Sequence, residues 1–257
     1  MHMDDTKSIS PKRLYAAGSI NSSNLGETIP DYRESLVRMM SVMAFTENSV
    51  AVGLQEFVPL TSGKEHAHVL EAIEDEKKHG RLVYELLEEI GVSRAEADSL
   101  ALKSVRSESL RASIDWMKPG KSLEDLAVYS FLLDRAGNFH LRNYLKGSYA
   151  PWAGVCASIL VEEEGHADFG FQQLKAIAET SRRAEVEGML AVWYPKILDF
   201  FGRPYSPTTA KYIELGLKER DNEELRLEFT EETRRLLSAV GLQEPKLTRQ
   251  EYPFCPD

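Results

Sequence analysis

From Pro30 onward the apolar positions of the chain recur by threes and fours. Leu36, Met40, Met43, Val50 and Leu54 fall on one face of a helix whose first turn suits Pro30, and Glu47 interrupts that face. The segment from Pro59 to Gly63 breaks the pattern. A second stripe runs through Val69, Ile73, Gly80, Val83, Leu87 and Ile90 before Gly91 closes it, and it carries Glu76 with His79 beside it. Gly91 to Lys121 is less regular, holds short helices, is punctuated by Pro119-Gly120, and reads as a long crossover. Ser122 and Asp125 have the spacing of a capping box and open a third stripe: Leu123, Ala127, Ser130, Asp134, Gly137, Leu141 and Leu145. Pro151 suits an early turn of a fourth helix, whose stripe is Trp152, Cys156, Ile159, Glu163, His166 and Gly170, fading near Ala178. Further on come a helix around Arg183 to Phe201, interrupted by Pro195, and two more opened by Ser206-Pro207 and Asp221-x-x-Glu224. No strand alternation and no repeat of 20 to 50 residues is present. The pattern predicts an all-α protein, with four long helices in a bundle, a long crossover and buttressing C-terminal helices. Residues 1–27, rich in Ser, Asn and Gly, read as a flexible arm, 28–240 as the helical domain and 241–257 as an extended tail.

Each of the four long stripes therefore carries an acid near its middle, and two carry a histidine three residues on. In Glu76-x-x-His79 and Glu163-x-x-His166 the i, i+3 spacing points a carboxylate and an imidazole at one spot. Two such pairs facing each other, with one further carboxylate from each of two other helices, make a dinuclear metal site. The candidate ligands are Glu47, Glu76, His79, Asp134, Glu163 and His166. Other readings exist for each residue alone. Glu162-Glu163-Glu164 could be a solvated acidic face, a single histidine on an apolar face a core residue, Glu47 an edge acid, and Asp134 a partner of Arg135 or Arg142. Glu56 and Glu164 are the alternative ligands if a helix is rotated by one turn. His66, His68 and His140 complete no motif and read as surface residues or residues behind the ligands. Met39, Met40 and Met43, with Tyr129, Phe131, Phe139 and Tyr144, read as core that can also wall a substrate pocket. Carboxylate oxygens with one imidazole per metal suit two iron ions, with manganese as the alternative, better than zinc or copper. No catalytic group beyond the ligands is indicated.

The composition narrows the setting. The 257 residues are 42% hydrophobic, enough for one large domain. A net charge of −10 argues against nucleic acid as partner. Cys156 and Cys255 form no disulfide framework and no ligand-like spacing, which suits a reducing cytoplasm. No run of about 18 apolar residues is present, so no membrane span is expected. A Gly-x-Gly-x-x-Gly turn is also missing, so electrons are expected from an external reductase.

Several stretches resemble the catalytic subunit of the bacterial phenylacetyl-CoA epoxidase family, which are ferritin-like diiron monooxygenases. They are Tyr32-Arg33-Glu34-Ser35-Leu36-Val37-Arg38, Asp75-Glu76-Lys77-Lys78-His79-Gly80, Leu133-Asp134-Arg135-Ala136-Gly137, Glu163-Glu164-Gly165-His166, Trp193-Tyr194-Pro195 and Phe200-Phe201-Gly202. The similarity runs from about Asp31 to about Pro245. It implies a ferritin-like bundle with the same six ligands, the acid of the third long helix included. It also implies dioxygen and an aromatic or acyl-CoA substrate, a sister bundle subunit or a second copy as partner, and a flavin and iron-sulfur reductase. The sequence departs from the family where a lysine lies one turn before the first Glu-x-x-His, since this chain has Ala72 there, and its C-terminal region is shorter. Two other functions stay open at this point: a non-catalytic scaffold subunit of an oxygenase, and an iron-storage or peroxide-detoxifying protein.

Overall fold

The computed structural model describes residues 13–107 and 122–248, the side chains of 105–107 excepted. In these, α1 spans Pro30–Gln55, α2 Gly63–Glu89, α3 Arg94–Ser107, α4 Leu123–Tyr144, α5 Ala150–Ala178, α6 Arg183–Phe200, α7 Pro207–Glu214 and α8 Asn222–Ala239. No strand occurs among the described residues, which carry one isolated parallel bridge, Ile20 with Tyr149. Local signals set most of the boundaries. Pro30 begins α1, Gly91 takes a φ of 80° just after α2, the Ser122 hydroxyl accepts from the Asp125 amide to open α4, and Asp221 with Glu224 forms a reciprocal capping box on α8. Pro195 lies inside α6 without ending it.

The bundle is two helical hairpins. α1 packs along α2 and α4 along α5, while contacts between α2 and α5 bring the pairs together. Nearly every residue of α4 is buried, because α5, α6 and α8 all cover it. At Gly170 the second hairpin is closest: a Cβ there would fall on the Phe131 amide nitrogen and lie 2.7 Å from the Ser130 carbonyl carbon. The expected ferritin-like arrangement, with α3 in the crossover and α6 to α8 added at the end, is the one observed.

Two apolar clusters fill the bundle. One contains Val50, Leu54, Ile73, Phe131, Leu174 and Trp193. The other contains Leu36, Met40, Val83, Leu87, Trp152 and Ile159. Along α1, α2 and α5 the chain passes from one cluster to the other through the segments that hold Glu47, Glu76 with His79, and Glu163 with His166. The acids and histidines thus form a polar layer across the middle of the bundle.

Residues 1–12 of the expected arm, 108–121 of the crossover with Pro119-Gly120, and 249–257 of the tail lie outside the described residues. The described part of the arm is packed against the domain. Ile20 and Leu25 are buried, and the amides of Leu14 and Gly18 donate to the carbonyls of Glu214 and Gly147.

Candidate metal centre

α1 and α2 carry Glu47, Glu76 and His79, while α4 and α5 carry Asp134, Glu163 and His166; all are buried except Glu47, which is half-buried. Glu47, Glu76, His79 and Glu163 each place a ligand atom within 4.8 Å of the others, a set able to hold a metal ion. Asp134 and His166 stand beside it. Both border a gap of about 10 Å³ that also touches Glu76 and Ala72, and His166 Nδ1 lies 3.6 Å from Glu163 Oε1. The six candidates therefore share one layer, four of them tightly and two more loosely. The rotated alternatives do not: Glu56 is exposed and Glu164 pairs outward with Arg142. Arg135 also turns away from Asp134, donating to Glu232 and to the Ala167 carbonyl.

Each imidazole is held by an acid of the opposite hairpin. His79 Nε2 is 2.8 Å from Glu162 Oε2, and His166 Nε2 is 3.3 Å from Asp75 Oδ2. Lys78 pairs with the same Glu162. A carboxylate on one ring nitrogen fixes the ring and its tautomer and leaves the other nitrogen for a metal. Here Nδ1 of both rings faces Glu163, at 3.2 Å from His79 and 3.6 Å from His166. Sequence reasoning missed Asp75 and Glu162. Their signal is positional, for each precedes a site glutamate and so sits about 100° around its helix, toward the other hairpin. Behind His166, the His68 ring meets it edge-on at 5.7 Å and stacks on Phe169.

Without a cation, the charges of the layer are balanced by protons. Burial pushes Glu76 well above the usual carboxylate range, with Glu163 and Glu47 adding to it, and burial followed by Glu163 does the same to Asp134. Burial alone would raise Glu163 too, but the two imidazoles outweigh it and hold this carboxyl down at about 2. Burial would lower the imidazoles, yet the carboxylates beside them lift His79 to about 10 and His166 to about 9. His79 Nδ1 and Glu163 Oε1 are enclosed and neither has a hydrogen-bond partner of good geometry. An enclosed polar atom left unsatisfied costs about 1–3 kcal/mol, and a metal ion between these two would satisfy both. Glu47, Glu76, His79 and Glu163 thus fit a metal ion, with Asp134 and His166 beside them.

A cavity of about 270 Å³ reaches the layer from one side. It meets the four carboxylates Glu47, Glu76, Asp134 and Glu163 and neither histidine. Its walls include Met39, Met43, Leu133, Leu141, Tyr144, Phe200 and Phe201, so part of the methionine and aromatic set lines a pocket while Met40, Tyr129 and Phe131 are core.

The profile of a family described as phenylacetic acid catabolic protein matches residues 23–252. The chain belongs to that family. Over 225 residues it is 26% identical to one of the subunits of 1,2-phenylacetyl-CoA epoxidase from Escherichia coli (strain K12), covering 84% of this chain and 71% of the relative. Among solved structures, a protein with aldehyde deformylating oxidase activity from Synechococcus shares the fold, with a TM-score of 0.60 at 19% identity over 84% of this chain and 94% of the other. Family and relative place the chain among the oxygen-dependent oxidoreductases. No described helix is long and apolar enough to cross a membrane.

Proposed function

We propose that this chain is the catalytic subunit of a diiron monooxygenase that inserts one oxygen atom into an aromatic or CoA-linked small molecule. The observation that carries this reading is the buried layer itself. Two Glu-x-x-His pairs and one acid from each remaining long helix converge there, with both Nδ1 atoms facing Glu163 and a cavity opening on the carboxylates. A scaffold subunit has no need of an intact set of donors. Iron storage has no need of an organic-sized cavity walled by Met39, Leu133 and Phe200. The relative's name, that of a phenylacetyl-CoA epoxidase subunit, supports an acyl-CoA substrate and a sister subunit as partner, and the lack of a Gly-x-Gly-x-x-Gly turn in the sequence supports an external reductase.

In this reading Glu47, Glu76, Asp134 and Glu163 with His79 and His166 would hold two irons, which would supply the electrons that activate dioxygen. The four carboxylates would neutralise two divalent ions. Asp75 and Glu162 hold the imidazoles in register. The apolar walls of the cavity orient the substrate and keep bulk water from the layer.

Anaerobic loading with ferrous iron followed by washing and elemental analysis is expected to give two irons per chain. Asp134→Ala should keep its helicity, bind the second iron weakly and lose oxygen consumption. A fully active Asp134→Ala with two irons would overturn the assignment. A screen of aryl-acyl thioesters with a reductase present then identifies the substrate.

A further inference from the structure

A glycine inside a helix is less stable than alanine, because its backbone loses more freedom on folding, so each one in the bundle calls for a reason. For Gly80 and Gly170 the reason is packing, since a Cβ would run into the Asn48 side chain or the backbone of α4. Gly137 is different. It lies within α4, takes no positive φ, and a Cβ built on it would meet no atom within 4 Å. Gly154, Gly165 and Gly188 have the same open space around them, but they are exposed on the outer surface of their helices. Gly137 is half-buried and borders the cavity that reaches the carboxylate layer. The space a side chain would fill there is therefore cavity.

Its position gives that space a meaning. Gly137 stands three residues after Asp134, on the same face of α4 and about 4.5 Å further along the axis. Leu133 and Leu141, four residues to either side in the same row, line the cavity with it. This wall is thus two leucines with a notch between them, beside the carboxylates. The facing wall comes from α1, with Met39, Met43 and Thr46. Methionine side chains shift readily to fit what lies against them. The α4 wall cannot withdraw in the same way, because α5, α6 and α8 cover that helix from behind.

We propose that Gly137 is a specificity-determining residue: the notch it leaves between Leu133 and Leu141 decides how wide a substrate end can lie beside the carboxylate layer. This rests on the oxygenase reading above and adds to it the residue that limits substrate size. An apolar cavity of roughly 150 Å³ is enough to hold one benzene. The cavity here, at about 270 Å³, takes a wider group, and a leucine at position 137 would divide it next to Asp134. Gly137 brings no polar atom, so it acts through space alone.

The test is equilibrium binding of benzene and naphthalene, two rigid hydrocarbons chosen only for their difference in size, to the full-length metal-free chain, by calorimetry for the first and fluorescence for the second. Gly137→Leu is expected to weaken naphthalene about tenfold or more and benzene less than about threefold, because overfilling is felt first by the larger probe. Gly137→Ala should weaken naphthalene about two- to threefold and raise the melting temperature, since alanine favours the helix and nothing obstructs its methyl group. Gly188→Leu, on the exposed side of α6, should change neither probe. Equal loss for both probes in Gly137→Leu, or no loss, overturns the notch, as does wild-type chain that takes neither. A lower melting temperature in Gly137→Ala overturns it too, for the glycine would then serve the backbone. If Gly137→Leu does not fold, as judged by its helicity, the selective loss in Gly137→Ala decides. Elemental analysis after loading with ferrous iron separates this inference from the reading beneath it. Two irons per chain with naphthalene binding unchanged by Gly137→Leu removes the notch and leaves the oxygenase reading standing. Size-selective loss in a chain that loads no iron keeps the notch as a size filter and removes that reading.

Discussion

The α1–α2 hairpin and the α4–α5 hairpin each supply one lone acid and one Glu-x-x-His pair, and each holds the other's histidine, yet they are tuned apart. In the first, the lone acid is the half-buried Glu47, whose Oε2 reaches within 3.6 Å of His79 Nδ1. In the second it is the shorter, buried Asp134, outside the tight cluster. The glutamates differ in the same sense. Glu163 faces both imidazoles and is held at about 2, whereas Glu76 is pushed up by burial and by its acidic neighbours. Packing differs too. A Cβ on Gly170 would meet the backbone of α4, while one on Gly80 would meet the end of the Asn48 side chain. The second hairpin is thus the rigid half, closed backbone to backbone and carrying the acid that both histidines share. The first can adjust its side chains, which suits the oxygenase proposed above, where substrate and oxygen would pass its carboxylates.

That asymmetry is most exposed by removing the shared acid. Glu163→Ala should abolish stable loading of both irons, while Glu47→Ala should keep one; elemental analysis after reconstitution reads the difference, and equal stoichiometry in the two variants removes the distinction.

Next in size is a pair of glycine substitutions. Gly170→Ala should destabilise the metal-free chain by about 3 kcal/mol, because backbone cannot move aside, whereas Gly80→Ala should cost less than about 1 kcal/mol as Asn48 swings away. Urea unfolding followed by circular dichroism measures both, and similar costs would mean that the two hairpins are equally compliant.

The crossed acids come after that. Asp75→Asn and Glu162→Gln should each lower iron affinity about 10- to 100-fold without altering the fold, the usual effect of releasing a ligating histidine from its carboxylate. Competition with a chelator reports the affinity, and no change in either variant would sink the bracing role.

The smallest effect is a pH slope. Relative to the unfolded chain, folding raises His79 and His166 and raises Glu76 and Asp134, so in all four cases the native state binds the extra proton. The histidine contribution is complete below about 6.5, the ordinary imidazole value, and is lost as pH rises through 9 to 10. Glu163 works the other way, contributing above its ordinary carboxylate value and losing that contribution only as pH falls toward 2. Metal-free chain should therefore lose stability steadily between pH 6.5 and 10. Iron should flatten that slope, because ligands must shed protons to bind it. Denaturant midpoints across this range, with and without metal, give the comparison.

The helices, their breaks and the four acid-bearing stripes were legible in the sequence because the face a residue occupies on a helix is a local property, set by 3.6 residues per turn. Local spacing therefore sufficed to place Glu47, Glu76, His79, Asp134, Glu163 and His166 on inward faces. Pro30, Gly91, Ser122 and Asp221 marked boundaries for the same reason, since caps act within one turn. Which helix meets which is not local. Only the packed structure pairs His79 with Glu162 and His166 with Asp75, turns Glu164 outward to Arg142, and lays Ile20 beside Tyr149. Lys218 and His140, 78 positions apart by number in the chain, share a cavity only because the turn before α8 folds back over α4. Such pairs depend on how side chains of distant segments interlock, and the interlocking is settled by shape and volume in the core, which no periodicity along one helix encodes.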